Sequence, residues 1–150
     1  MNVLIMGGRV IDPANSVDQI QDLFICDGKI AGLGIPTREI ELDKTLDAGG
    51  LVVCPGLVDL QARLREPGEE HKATLESELT AAVAGGITTI CCPPDTDPVI
   101  DTPAMVQMIR HRAEEIGLTQ VLPVGALTRS LAGEQLTDMA ALGNAGCVAL

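Results

Sequence analysis

Aromatic side chains are almost absent: Phe24 stands alone, with no Trp and no Tyr in 150 residues. Without ring faces there is no stacking platform of the kind that single-stranded nucleic-acid binders and RNA modules use. Positive charge is scarce as well, with 10 Lys and Arg against 21 Asp and Glu and a formal charge of −11. A chain this acidic repels a phosphate backbone, so no nucleic-acid partner is expected. Long apolar runs are missing too. Nothing approaches the roughly 18 residues of a membrane span, and residues 1–6 lack the basic region and apolar stretch of a secretory signal. The expectation is a cytoplasmic protein with no membrane partner.

What remains is an aliphatic globular chain, 46% hydrophobic and long enough to bury a core. Its five cysteines, Cys26, Cys54, Cys91, Cys92 and Cys147, are odd in number and show no metal-type spacing. Reduced, buried thiols are expected. Cys91 and Cys92, adjacent on a strand, point to opposite faces and make a poor chelate.

Two kinds of pattern divide the chain, and they predict domains at 1–50 and 51–150. Residues 1–50 read as a small antiparallel β unit. Gly7-Gly8 separates two short β-type runs, and Asp27-Gly28 supplies the two positive-φ positions of a type I′ turn between residues 22–26 and 29–33. From residue 51 strand-like runs alternate with helical ones, the signature of parallel βα units. The spacing predicts a strand over 51–63, then a helix with Leu75, Leu79, Ala82 and Val83 on its apolar face, ended by Gly85-Gly86. A strand at 87–92 precedes a helix opened by Thr102 as N-cap and Pro103 at the first position, and closed by Gly117. A third strand at 119–124, a helix at 134–145 and the opening of a fourth strand at 147–150 follow. Three βα units cannot close a (β/α)8 barrel, which needs about 250 residues. Either the sheet is open or the chain is the N-terminal portion of a longer α/β protein; the second is expected, because an apolar strand ending at Leu150 would leave an unprotected sheet edge.

The segment that should carry chemistry is Pro55-Gly56-Leu57-Val58-Asp59-Leu60-Gln61-Ala62-Arg63-Leu64-Arg65-Glu66-Pro67-Gly68. Its polar residues fall at every second position, so on a strand Asp59, Gln61 and Arg63 share a face, with Arg65 following. They converge at the C-terminal end of the first strand, where βα barrels build their sites.

With this segment the sequence resembles the cyclic amidohydrolases, and within them the dihydroorotases of pyrimidine biosynthesis. The resemblance runs through the N-terminal β unit, the Pro55-Gly56-Leu57-Val58-Asp59 strand, the Arg65-Glu66-Pro67-Gly68 turn, Ala84-Gly85-Gly86-Ile87-Thr88-Thr89 and Pro93-Pro94-Asp95-Thr96-Asp97-Pro98. It implies the fold: the N-terminal part of an amidohydrolase (β/α)8 barrel, its β unit being part of a composite β-sandwich. In the family the strand reads Asp-x-His-x-His-x-Arg, and the two histidines bind the zinc that activates water. Here those positions are Gln61 and Arg63. An amide oxygen is a poor ligand and a guanidinium is a fixed cation. Zinc lowers the pKa of its water from about 15.7 to about 7, roughly 12 kcal/mol of help in forming hydroxide, and nothing visible replaces it. His71 and His111, the only histidines, fall on predicted outer helices. Where relatives read Met-Pro-Asn-Thr and hold the substrate carboxylate with the asparagine, this chain has Asp95, whose charge would repel that carboxylate. Arg65, whose counterpart also contacts the carboxylate, is retained.

The expected site is thus vestigial, comprising Asp59, Gln61, Arg63, Arg65 and Asp95, with no catalytic residue, no metal and no cofactor. A guanidinium in a barrel mouth needs a partner. Arg63 is expected to pair with Asp59 or an acidic former ligand farther along, or to point to water. The resemblance is closest to the noncatalytic dihydroorotase-like proteins that accompany aspartate carbamoyltransferase. It implies a homo-oligomer that supports assembly and activity of that enzyme. The alternatives are an active metal-dependent dihydroorotase or related cyclic amidohydrolase with altered ligands, and a non-enzymatic scaffold of the dihydropyrimidinase-like kind.

Overall fold

A computed structural model describes residues 1–34 and 41–150. They form two compact units, Met1–Pro55 and Gly56–Leu150.

In the first unit β1 (Asn2–Asp12) is the central strand, flanked by β2 (Val17–Cys26), which pairs in turn with β3 (Lys29–Leu33). Asp27 and Gly28, at φ 50° and 74°, make the expected turn between β2 and β3. Two expectations for this unit are corrected. Gly7-Gly8 does not turn a hairpin: β1 runs straight through it, and the glycines accommodate a bulge between Ile5 and Gly8. A Cβ on Gly8 would stand 2.6 Å from Val53 Cγ2, so close strand approach, not chain reversal, explains that glycine. Nor is the unit purely antiparallel. On its other edge β1 takes β4 (Lys44–Asp47) and β5 (Val52–Val53) in parallel. The sequence pattern hid β4 because all four of its residues are exposed, leaving no alternation to read.

The second unit is a parallel sheet in the order β6 (Leu57–Asp59), β7 (Ile87–Cys92), β8 (Gln120–Pro123), with α1 (Leu75–Ala84) and α2 (Pro103–Ile116) as crossovers and α3 (Met139–Ala145) after β8. Its core packs Leu75 and Leu79 of α1, Ile90 and Cys92 of β7, Val106 and Ile109 of α2, and Leu142 of α3. Both long helices begin and end as their sequences dictate. Thr102 caps α2, and Gly117 ends it at φ 68°. The expected apolar face of α1 holds except at Val83, which is 42% exposed.

At the N-terminus of α1, Thr74 and Ser77 form a reciprocal capping box: the Thr74 hydroxyl accepts the Ser77 N–H at 3.2 Å, and the Ser77 hydroxyl accepts the Thr74 N–H at 3.0 Å. Thr74→Ala removes one of the two bonds and is expected to cost about 0.5–2 kcal/mol in equilibrium urea unfolding, with Thr74→Ser close to the parent. Equal stability of the alanine variant would contradict this role.

Three boundaries differ from the pattern reading. The strand expected over 51–63 is divided between β5, in the first unit, and β6, in the second. The third helix is half the expected 134–145, because residues before Asp138 are tied into a loop: Arg129 N–H donates to Gln135 O at 2.8 Å and Thr137 N–H to Leu127 O at 3.1 Å. The Asp138 carboxylate then accepts the Ala141 N–H at 3.0 Å and starts the helix. At 147–150 a single parallel bridge, Val124 to Ala149, stands where a strand was expected. Among the described residues no helix is long and apolar enough to cross a membrane.

Candidate functional site

Asp59 ends β6 by its own chemistry. Its Oδ1 accepts the Gln61 N–H at 2.9 Å, an Asx-type turn that competes with the strand ladder. The backbone regains β7 only at Ala62, whose N–H donates to Cys91 O at 3.1 Å. The shared strand face expected for Asp59, Gln61 and Arg63 is therefore lost. Asp59 is occupied with the backbone, and Gln61 is exposed.

Arg63 does find a carboxylate. Its Nε lies 2.5 Å from Asp95 Oδ2, in the loop after β7, so the partner is Asp95 and not Asp59. The bond and the charge of Asp95 hold the guanidinium still more firmly in its charged form. Asp95, expected to repel a substrate carboxylate by its charge, thus has a cation directly on it. Arg63 is 51% and Asp95 39% exposed, so the pair contributes little net stability; its consequence is for chemistry.

Arg65 follows in the left-handed region, at φ 64°, which directs its side chain away from any continued strand. Its Nη1 donates to Glu69 Oε2 at 2.8 Å. Lys72 holds the other Glu69 oxygen, and together these bonds, Lys72 first, keep the Glu69 carboxyl below its usual range. The turn is fixed from behind by Glu66, whose Oε2 accepts the Leu75 N–H at 2.7 Å while its Oε1 lies 3.7 Å from Arg112 Nε. Arg63, Arg65 and Asp95 thus line one small cleft with Glu69, Cys92 and Pro93, whereas Asp59 and Gln61 are not part of it. Sequence reading missed Glu66 and Glu69. The i,i+4 spacing of Arg65 and Glu69 was the available signal.

These residues do not fit a divalent cation. Arg63 brings a fixed positive charge and no lone pair, and Asp95 is committed to it. Among the described residues no group of three or more His, Cys, Asp or Glu side chains could hold a metal ion. His71 lies in a turn, not on the expected helix, and His111 on α2 is exposed, 3.5 Å from Glu115.

A family profile described as "Dihydro-orotase-like" matches residues 50–150. The chain belongs to the dihydro-orotase-like family. It is 53% identical over 149 residues, 99% of its length, to a protein of Pseudomonas aeruginosa named "Dihydroorotase-like protein". It is 44% identical over 150 residues, all of its length, to a "Dihydroorotase" of Syntrophotalea carbinolica. The chain spans about a third, 35%, of each of these relatives. Among solved structures it is similar to the L-hydantoinase (dihydropyrimidinase) of Arthrobacter aurescens, with a TM-score of 0.79 and 25% identity over 98% of this chain and 32% of that one. The α/β fold is accordingly part of an amidohydrolase (β/α)8 barrel together with the preceding β unit.

In this dihydro-orotase-like chain the thiols divide by burial. Cys91 and Cys92 are buried, Cys26 and Cys147 intermediate, and Cys54 exposed, which corrects the expectation that all five lie inside. Burial pushes the Cys92 thiol up to about 11. Folding therefore favours the neutral thiol, a contribution present below the ordinary pKa near 9 and lost as pH rises from there towards about 11. Brief iodoacetamide treatment of the native protein at neutral pH is expected to label Cys54 and leave Cys92 unmodified by peptide mass mapping. Labelling of Cys92 at a comparable rate would contradict its placement.

Proposed function

We propose that this chain belongs to a noncatalytic dihydro-orotase homologue that supports the assembly and activity of aspartate carbamoyltransferase in pyrimidine biosynthesis, as a cytoplasmic homo-oligomer. The observation that carries this reading is the Arg63–Asp95 ion pair. The two departures from the family pattern at these positions are one physical unit, a cation and its carboxylate. An arginine without Asp95, or Asp95 without an arginine, would leave an uncompensated charge in the cleft. Matched in this way, the pair supports an arrangement that dispenses with a metal rather than a metal site with one defective ligand. The vestigial positions are then Asp59, Gln61, Arg63, Arg65 and Asp95. The 53% identical relative named "Dihydroorotase-like protein" also favours this reading.

The test is reconstitution. The full-length gene product and its cognate aspartate carbamoyltransferase are purified separately, mixed, and examined for mass in solution and for carbamoyl transfer. A stable joint complex with raised transferase activity is expected. Two proteins that stay apart, with transferase activity unchanged, would refute the assembly role. A second reading, an active cyclic amidohydrolase with altered ligands, is favoured by the name "Dihydroorotase" of the 44% identical relative.

A further inference from the structure

Arg63 and Arg65 flank Leu64, which is 1% exposed and anchors their turn in the core. Both arginines line the same cleft, with Cys92 and Pro93. Neighbouring guanidinium groups are a standard means of recognising carboxylate and phosphate. Here each already holds a carboxylate of its own chain, Arg63 that of Asp95 and Arg65 that of Glu69. Lys72 places a further cation on Glu69. The cavity left among these groups is about 10 Å³, no more than one water needs.

We propose that Asp95 and Glu69 are built-in ligands, tethered carboxylates that saturate Arg63 and Arg65 and close this cleft to small anions. The inference rests on the noncatalytic reading of the same cleft and specifies what occupies it. Two features make the closure effective. The tether gives each internal carboxylate an effective concentration of about mM or higher, which a free anion of equal intrinsic affinity must exceed. The internal groups also offset two of the three positive charges of Arg63, Arg65 and Lys72, which weakens the attraction that an incoming anion meets in a chain of charge −11.

The experiment titrates the native protein and the charge-deleted variant D95N/E69Q with succinate and, separately, inorganic phosphate, following heat and the arginine side-chain N–H resonances. Circular dichroism establishes that the variant is folded. If the double variant does not fold, D95N alone is titrated and read at Arg63 Nε. Binding at least tenfold tighter in the variant than in the native protein is expected for one or both anions. A carboxylate-only gain would mark a site shaped for carboxylates, and a gain with both would mark a general anion site. Saturable binding to the native protein below about 1 mM, or less than a tenfold gain in the folded variant, would overturn the proposal. These outcomes are equilibrium binding, distinct from the zinc-dependent ring turnover that would refute the noncatalytic reading.

Discussion

Gly68→Ala is expected to destabilise the protein by about 2–5 kcal/mol, a large effect for one added methyl group. Gly68 sits at φ 102°, and a Cβ there would lie 2.4 Å from Asp97 O and 2.5 Å from Asp97 Cβ. The obstacle is largely backbone, so no flexible side-chain tip can swing away. Overpacking costs about 1–3 kcal/mol and the unfavourable backbone conformation a similar amount. Here the 65–68 turn, with Arg65, meets the loop that carries Asp95, joined also by the Asp97 N–H donating to Pro67 O at 3.1 Å. Separating them loosens the cleft as well as the fold. The variant should show a lower urea midpoint at unchanged slope and faster alkylation of Cys92. Gly28→Ala is the control: φ is 74° but nothing lies within 4 Å, so only the backbone penalty applies. Equal losses for the two variants would refute the steric account of Gly68.

Ile109→Ala should cost about 2–5 kcal/mol by deleting buried methyl groups and leaving a cavity. Ile109 is 0% exposed on α2, in the cluster that joins α1, β7 and α3. The decisive comparison is with Arg63→Ala, which removes a half-exposed ion pair and should change stability far less. Urea unfolding of both variants separates the two contributions. If Arg63→Ala proved as destabilising as Ile109→Ala, the pair would be a structural bolt rather than a chemical substitution.

The extent to which the sequence disclosed this structure follows from the range of each signal. Both ends of α2 were legible because Thr102, Pro103 and Gly117 act within a single turn of helix. β4 was not, since its pairing with β1 is long-range and its residues carry no apolar alternation. The extent of β6 was misjudged because strand periodicity takes no account of a carboxylate that bonds backbone two residues ahead, as Asp59 does with Gln61. In the site, the residue types were legible and the pairing was not. That Arg63 needs a carboxylate follows from charge alone. That Asp95 supplies it depends on two loops, 32 residues apart in sequence, meeting at adjacent strand ends. The capture of Arg65 by Glu69 depended on a left-handed backbone angle that alternation could not predict.

The central proposal is that Gln61 and Arg63 stand where metal chemistry would need ligands, with Arg63 held by Asp95. Its most direct test is dihydroorotate ring opening and closure by the full-length gene product, freed of host dihydroorotase and assayed with and without added zinc at high protein concentration. The account predicts no metal-dependent rate above background at any zinc concentration. A reproducible zinc-dependent rate that scales with this protein would contradict it, and would mean that Gln61 and Arg63 belong to a rewired, working site.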